Sequence, residues 1–191
     1  PREDLGRACR VLPTDPRSLA AVFDDSGRVG AAMGREARAA ELVAALKARV
    51  DDVQERTEGL ARPRTAVLDW VDPVMVAGHW VPGMVDRAGG AYGMAEPGAR
   101  SRPREWADLP AYDPEVLVTA PCGFEVDQTV RDLPVLTEQD GWADLTAVAE
   151  NRVYVIDGHH YVNRPGPRLV DTLEFLAWCL HPDAFDRPPV D

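Results

Sequence analysis

The sequence predicts an α/β fold: a Rossmann-like parallel sheet flanked by helices and preceded by one long connector helix. Three observations carry this. Short apolar runs rich in strand formers recur as "RTAVLDW" (64–70), "EVLVTAP" (115–121) and "NRVYVID" (151–157). None alternates strictly, as expected for strands covered on both faces of a parallel sheet. Helical segments lie between and after them, the pattern of a layered α/β unit. A long Ala-rich stretch of strong helix formers stands in front of all three.

Taken in order, "TDPRSLAAVFDDSGRVGAAMG" (14–34) reads as a helix capped by Thr14 or Asp15, with Pro16 at its first position. "REARAAELVAALKARVDDVQERTEG" (35–59) is the long helix. Val43, Leu46, Val50 and Val53 form one narrow apolar stripe, with Glu41, Arg49, Asp52 and Glu55 opposite, and Gly59 and Pro63 stop it. Helix candidates follow the first strand at residues 81–89, 104–109, 124–133 and 142–151. "EPGARSRPRE" (96–105) is the most loop-like segment. The last helix, "GPRLVDTLEFLAWCLHP", has Pro167 in its first turn, an apolar face of Leu169, Leu173, Leu176 and Leu180, and His181-Pro182 at its end.

Bulk properties narrow the function. A chain of 191 residues with 45% hydrophobic content can bury a sizeable core. A net charge of −11 argues against nucleic acid, which needs a basic stripe, and against docking on anionic lipid. No run approaches the roughly 20 apolar residues of a membrane span. The segment "PREDLGRACR" lacks the apolar core of a secretory leader, and a chain opening on Pro1 reads as a processed product or a piece of a longer one. Cys9, Cys122 and Cys179 are widely spaced with no CxxC pair, so they read as free thiols, with Cys179 on a buried helix face.

Ligands of open parallel sheets bind outside the carboxyl ends of the strands. The three loops expected there hold Gly78, His79 and Trp80; Cys122 and Phe124; and His159, His160, Tyr161 and Arg164. Aromatic platforms with a few polar groups line small-molecule clefts. Each residue also has a structural alternative. Trp80 beside Pro82 can pack under the next helix, His79 can cap it, and the arginines can bond loop carbonyls. Trp70, Trp106, Trp142 and Trp178 read as structural. Adjacent histidines point opposite ways on an extended chain, and no HxH, HxxxH or HExxH spacing is present, so no metal site is assigned. No nucleophile elbow surrounds Cys122 and no GxGxxG follows a strand, so no catalytic residue, enzyme activity or cofactor is assigned.

The segments "LDWVDPVMVAGHWVPGMVDRAGG", "WADLPAYDPEVLVTAPCGF" and "NRVYVIDGHHYVNRPGPRLVDTLEFLAWCLHP" resemble the cobalamin-type substrate-binding proteins of ABC importers, a class that also carries iron–siderophores and haem. The likeness runs over residues 12–185, and PCGF and RPGPR are its most specific parts. It implies two α/β lobes joined by a long helix, with ligand in the cleft between them. On that reading residues 1–34 are a first-lobe remnant and helical lead-in, 35–63 the connector helix, and 64–191 the C-terminal lobe. A whole first lobe would need about a hundred residues before the connector. The resemblance therefore implies a second lobe with its connector, which alone binds ligand weakly. The connector stripe is then expected to lie partly uncovered, with self-association through it as a consequence.

The resemblance further implies a transported corrinoid held by Trp80, Tyr161 and Phe124, with His79, His159 or His160 bonding its amides or one histidine ligating cobalt. It implies an ABC permease as partner, docked through acidic residues, and an extracytoplasmic location. No residue from Gly158 to Gly166 is acidic, so that loop does not supply the docking carboxylate. An iron–siderophore or haem carrier on the same scaffold, and a Cys122-dependent enzyme, are the alternatives.

Overall fold

A computed structural model describes residues 11–190, so Cys9 lies outside the described residues. Five strands, β1 (Thr65–Val71), β2 (Val74–Val76), β3 (Arg102–Pro103), β4 (Val116–Thr119) and β5 (Val153–Val155), form one sheet in the order β3-β2-β1-β4-β5. The predicted parallel strands are β1, β4 and β5, which pair in register Thr65 with Val116 and Leu117 with Val153. The sheet as a whole is mixed, because β2 and β3 extend it antiparallel. Pro103 donates no backbone hydrogen bond, and it sits on the outermost strand, where that is tolerated.

Successive strand side chains enter opposite layers. On one face Val67, Val116, Val118, Ala120 and Ile156 meet helices α1 (Leu19–Ala32), α2 (Glu36–Thr57), α3 (Val81–Arg87) and α8 (Leu169–Leu180). On the other, Ala66, Leu68 and Leu117 meet Leu109 of α4 (Asp108–Tyr112), Leu136 of α6 (Pro134–Thr137) and Ala147 of α7 (Thr146–Ala149), with Trp142 and Leu145. Apolar side chains on both faces explain why these strands read as continuous runs. Helix α5 (Val126–Asp132) follows β4.

The first helix begins later than expected. Ser18, not Thr14 or Asp15, caps it, its hydroxyl accepting from the Ala21 amide at 3.2 Å. The long helix matches its predicted span. Of the stripe expected to lie partly uncovered, Leu46, Val50 and Val53 are buried in the core shared with α3 and α8, and Val43 is half-buried against it. Arg49, predicted on the outer face, clamps α2 to α8. Its guanidinium donates to Asp171 at 2.6 Å and to both carboxylate oxygens of Glu174 at 2.8 and 2.6 Å. No helix among the described residues is long and apolar enough to cross a membrane.

Candidate ligand-binding rim at the carboxyl ends of the strands

The loops after β4 and β5 are fastened to each other and to β1. The Ala120 amide donates to the Leu68 carbonyl at 2.8 Å and the Cys122 amide to the Asp69 carbonyl at 3.0 Å. Gly123, at φ +82°, turns the chain so that the Phe124 amide reaches the Pro121 carbonyl at 3.0 Å. From the other loop the His159 amide donates to the Phe124 carbonyl at 3.1 Å, and the Asn163 side chain to the Ala120 carbonyl at 2.8 Å. Cys122 and Phe124 therefore share one rim with His159 and His160. Trp70, read from sequence as structural, joins them: its ring meets Phe124 edge-on, centroids 5.1 Å apart. The signal available for it was its place near the end of the first strand.

"GHHYV" winds into a short π-helical turn, Gly158–Val162, capped by Asp157. One Asp157 oxygen accepts the His160 amide at 2.7 Å and the other lies 2.7 Å from His160 Nδ1. Asp157 is buried and His160 half-buried, so the carboxylate fixes the ring from beneath. The rings of His159 and His160 meet at right angles, 4.5 Å apart. Arg164 donates to the His159 carbonyl at 2.8 Å and approaches its ring at 3.1 Å. Tyr161 packs against the first core layer beneath the Arg168 guanidinium, 6.0 Å from its ring centre.

Gly78, His79 and Trp80 stand elsewhere. The hairpin β1–β2 carries the chain back, so that the Ala77 amide pairs with the Val67 carbonyl in mid-strand. The Gly78 amide donates to the Ser101 hydroxyl at 3.0 Å, and His79, at φ +53°, exchanges backbone hydrogen bonds with Gly98 and Ala99. Trp80 reaches the rim only through its indole N–H, which donates to the Val162 carbonyl at 2.9 Å. Its ring and His79 line a separate cavity of about 450 Å³ with the start of α1.

Asp69 occupies the irregularity between Leu68 and Trp70, a bulge beside the rim. Its Oδ1 is buried without a hydrogen-bond partner. Burial pushes this carboxyl above its ordinary value, partly offset by the Ser101 hydroxyl, a backbone hydrogen bond and His79. A raised folded-state value means that the group favours folding below the ordinary carboxyl range near pH 4, and that this is lost as pH rises through the raised value. Asp69→Asn is therefore expected to stabilise the protein at neutral pH relative to wild type, the difference closing as pH falls toward about 4. Urea midpoints measured across that range test it; parallel midpoints at every pH would contradict it.

Cys122 is exposed and Cys179 buried, where burial pushes its thiol up. Among the described residues no histidine hydrogen-bonds to the Cys122 sulfur, and no cluster of three or more His, Cys, Asp or Glu could hold a metal ion.

Residues 3–159 match a family profile described as "Periplasmic binding protein". The chain is 26% identical over 187 residues to YvrC of Bacillus subtilis, described as an uncharacterized ABC transporter substrate-binding lipoprotein; the alignment covers 90% of this chain and 53% of that one. The chain thus spans about half the length of the curated relative it matches. Among solved structures, the ABC-type Fe3+-hydroxamate transport system of Saccharomonospora viridis is 27% identical with a TM-score of 0.72, over 85% of this chain and 56% of that one. S. aureus IsdE complexed with heme is 18% identical with a TM-score of 0.76, over 91% and 69%, a likeness of fold.

Proposed function

This chain belongs to the periplasmic binding protein family, and we propose that it forms a C-terminal lobe, residues 64–191, with a connector helix at 35–63 and a lead-in at 1–34. That lobe would serve an extracytoplasmic substrate-binding protein that delivers its ligand to an ABC permease. The substrate-binding lipoprotein of B. subtilis supports this reading.

The ligand we assign is a corrinoid, and one observation carries the assignment. His160 Nδ1 is committed to the buried Asp157 carboxylate at 2.7 Å. The carboxylate can only accept, so Nδ1 is the nitrogen that donates, and in the neutral ring this leaves the lone pair on Nε2. A carboxylate holding one imidazole nitrogen so that the other can bind a metal is a recurrent second-layer arrangement of metal-ligating histidines. A planar macrocycle with an open axial position on a late first-row metal suits a single imidazole. Trp70 and Phe124 supply flat apolar area beside it, with Tyr161 behind the same turn. His159 and Arg164 offer donors and acceptors for amide side chains at the edge. A second surface closing over the rim would add desolvation that one lobe cannot supply.

Haem fits the same imidazole, and the S. aureus relative is described with heme. A ferric hydroxamate, named for the S. viridis relative, already fills the iron with oxygen ligands and makes no use of His160. Titration of the full two-lobed protein with aquocobalamin, followed in the visible spectrum, is expected to shift the cobalt bands. His160→Ala abolishes the shift and His159→Ala preserves it. An unchanged wild-type spectrum, or a shift that survives His160→Ala, overturns the assignment. A shift with haemin and none with aquocobalamin replaces the corrinoid by haem.

A further inference from the structure

The chain carries eleven more acidic than basic residues (32 − 21), yet three arginines crowd one spot without acidic partners. Arg100, Arg102 and Arg104 stand at alternate positions along the β3 edge and line one cavity of about 280 Å³. Seven other arginines, from Arg17 to Arg64, pair with carboxylates; among the described residues none of these three does. The cavity floor is apolar, formed by Val76, Met94, Ala95 and Ala99, and Glu96 is its one acidic group.

The backbone under these arginines is pinned. Arg102 and Pro103 pair with Val76 and Met75, and the Arg104 amide donates to the Val74 carbonyl at 2.8 Å. A Cβ at Gly78 would lie 2.6 Å from backbone atoms of Arg100 and Ser101, so the loop that carries Arg100 is seated directly on the β2–α3 turn. The Arg104 guanidinium also donates to the Met94 carbonyl at 2.5 Å, which leaves further N–H groups to serve a ligand.

We infer that this cavity is a binding site for a small polyanion bearing adjacent phosphate or carboxylate groups. Guanidinium forks match such groups in bidentate geometry. At about 30 Å³ for each water-sized volume, the space suits a molecule of diphosphate or small polycarboxylate size. An acidic protein surface repels anions at long range, so three unpaired arginines lining one preformed concavity supply a local attraction that offsets it. The site shares no lining residue with the carboxyl-end rim and does not depend on the corrinoid assignment.

Calorimetric titration with pyrophosphate and with citrate, at about 0.15 M ionic strength, tests it. Saturable binding at one site is expected. Arg102→Gln weakens it about tenfold, as for one lost charge-assisted pair, and the triple variant Arg100→Gln, Arg102→Gln, Arg104→Gln abolishes it with an unchanged circular dichroism spectrum. Glu96→Gln tightens binding, an effect that a purely structural role would not give. The preferred probe decides between phosphate and carboxylate. No saturable binding to wild type, equal binding by the triple variant, an equal loss in Arg38→Gln on the far helix, or tighter binding of an acidic peptide than of either probe overturns the proposal.

Discussion

Gly158→Ala is expected to destabilise the protein by about 3 kcal/mol or more, because the overpacking meets backbone that cannot yield. A Cβ there would run into the Pro121 carbonyl and lie 2.6 Å from the Ala120 carbonyl oxygen and 2.8 Å from its carbon. Those atoms belong to the end of β4, whose Ala120 amide is hydrogen-bonded to Leu68 and whose Ala120 carbonyl accepts from Asn163. To admit one methyl group, the π-helical turn must leave β4, taking the His159–Phe124 hydrogen bond and the Asp157–His160 pair with it. Two other glycines serve as controls. Gly166 has nothing within 4 Å of a Cβ, and its replacement by alanine should leave stability nearly unchanged. Gly123 also has open space but sits at φ +82°, so alanine there costs about 1 kcal/mol through backbone conformation alone. Urea unfolding of the three variants gives the ranking. A Gly158→Ala protein within about 0.5 kcal/mol of wild type, the scatter of neutral surface changes, would show that the two loops do not depend on this approach.

That ranking shows what the sequence could and could not convey. Long periodic elements were legible: the stripe Leu46, Val50, Val53 and the face Leu169, Leu173, Leu176, Leu180 lie buried where periodicity placed them. The three parallel strands were legible as apolar runs, because both faces are covered. The β1–β2 hairpin was not. Val74–Val76 is three residues long, too short for any period to register, and only two residues separate it from β1. Missing it left unread how the chain reaches Gly78, His79 and Trp80: the returning strand sets His79 against Gly98 and Ala99, with the Trp80 indole bonded to the Val162 carbonyl. It also hid the edge-on contact of Trp70 with Phe124. The same gap hid the arginine cavity, since "SRPR" reads as loop until a pairing partner turns its alternate residues to one side. Adjacency of His159 and His160 argued against a shared ion on an extended chain. The π-helical turn sets their rings at right angles, and Asp157 singles out one of them through a contact that no spacing in the sequence encodes.

Asp157 offers the sharpest separation of stability from ligand binding. Asp157→Ala removes the acceptor of the His160 amide and the anchor of its ring, and is expected to cost about 2 kcal/mol, the worth of hydrogen bonds to a charged group. Asp157→Asn behaves differently. Its carbonyl oxygen can still accept the His160 amide, so the turn keeps its cap and most of its stability. Its amide nitrogen, however, can only donate. Facing His160 Nδ1, it turns that nitrogen into an acceptor and moves the ring proton to Nε2, where it blocks coordination. Asp157→Asn should therefore fold with a near-native urea midpoint yet bind the macrocycle about 10- to 100-fold more weakly, the usual effect of losing an outer-shell partner. The residual spectrum should resemble that of His160→Ala. If Asp157→Asn keeps both its stability and the wild-type spectral shift, the imidazole does not act through Nε2, and Asp157 serves only to cap the turn.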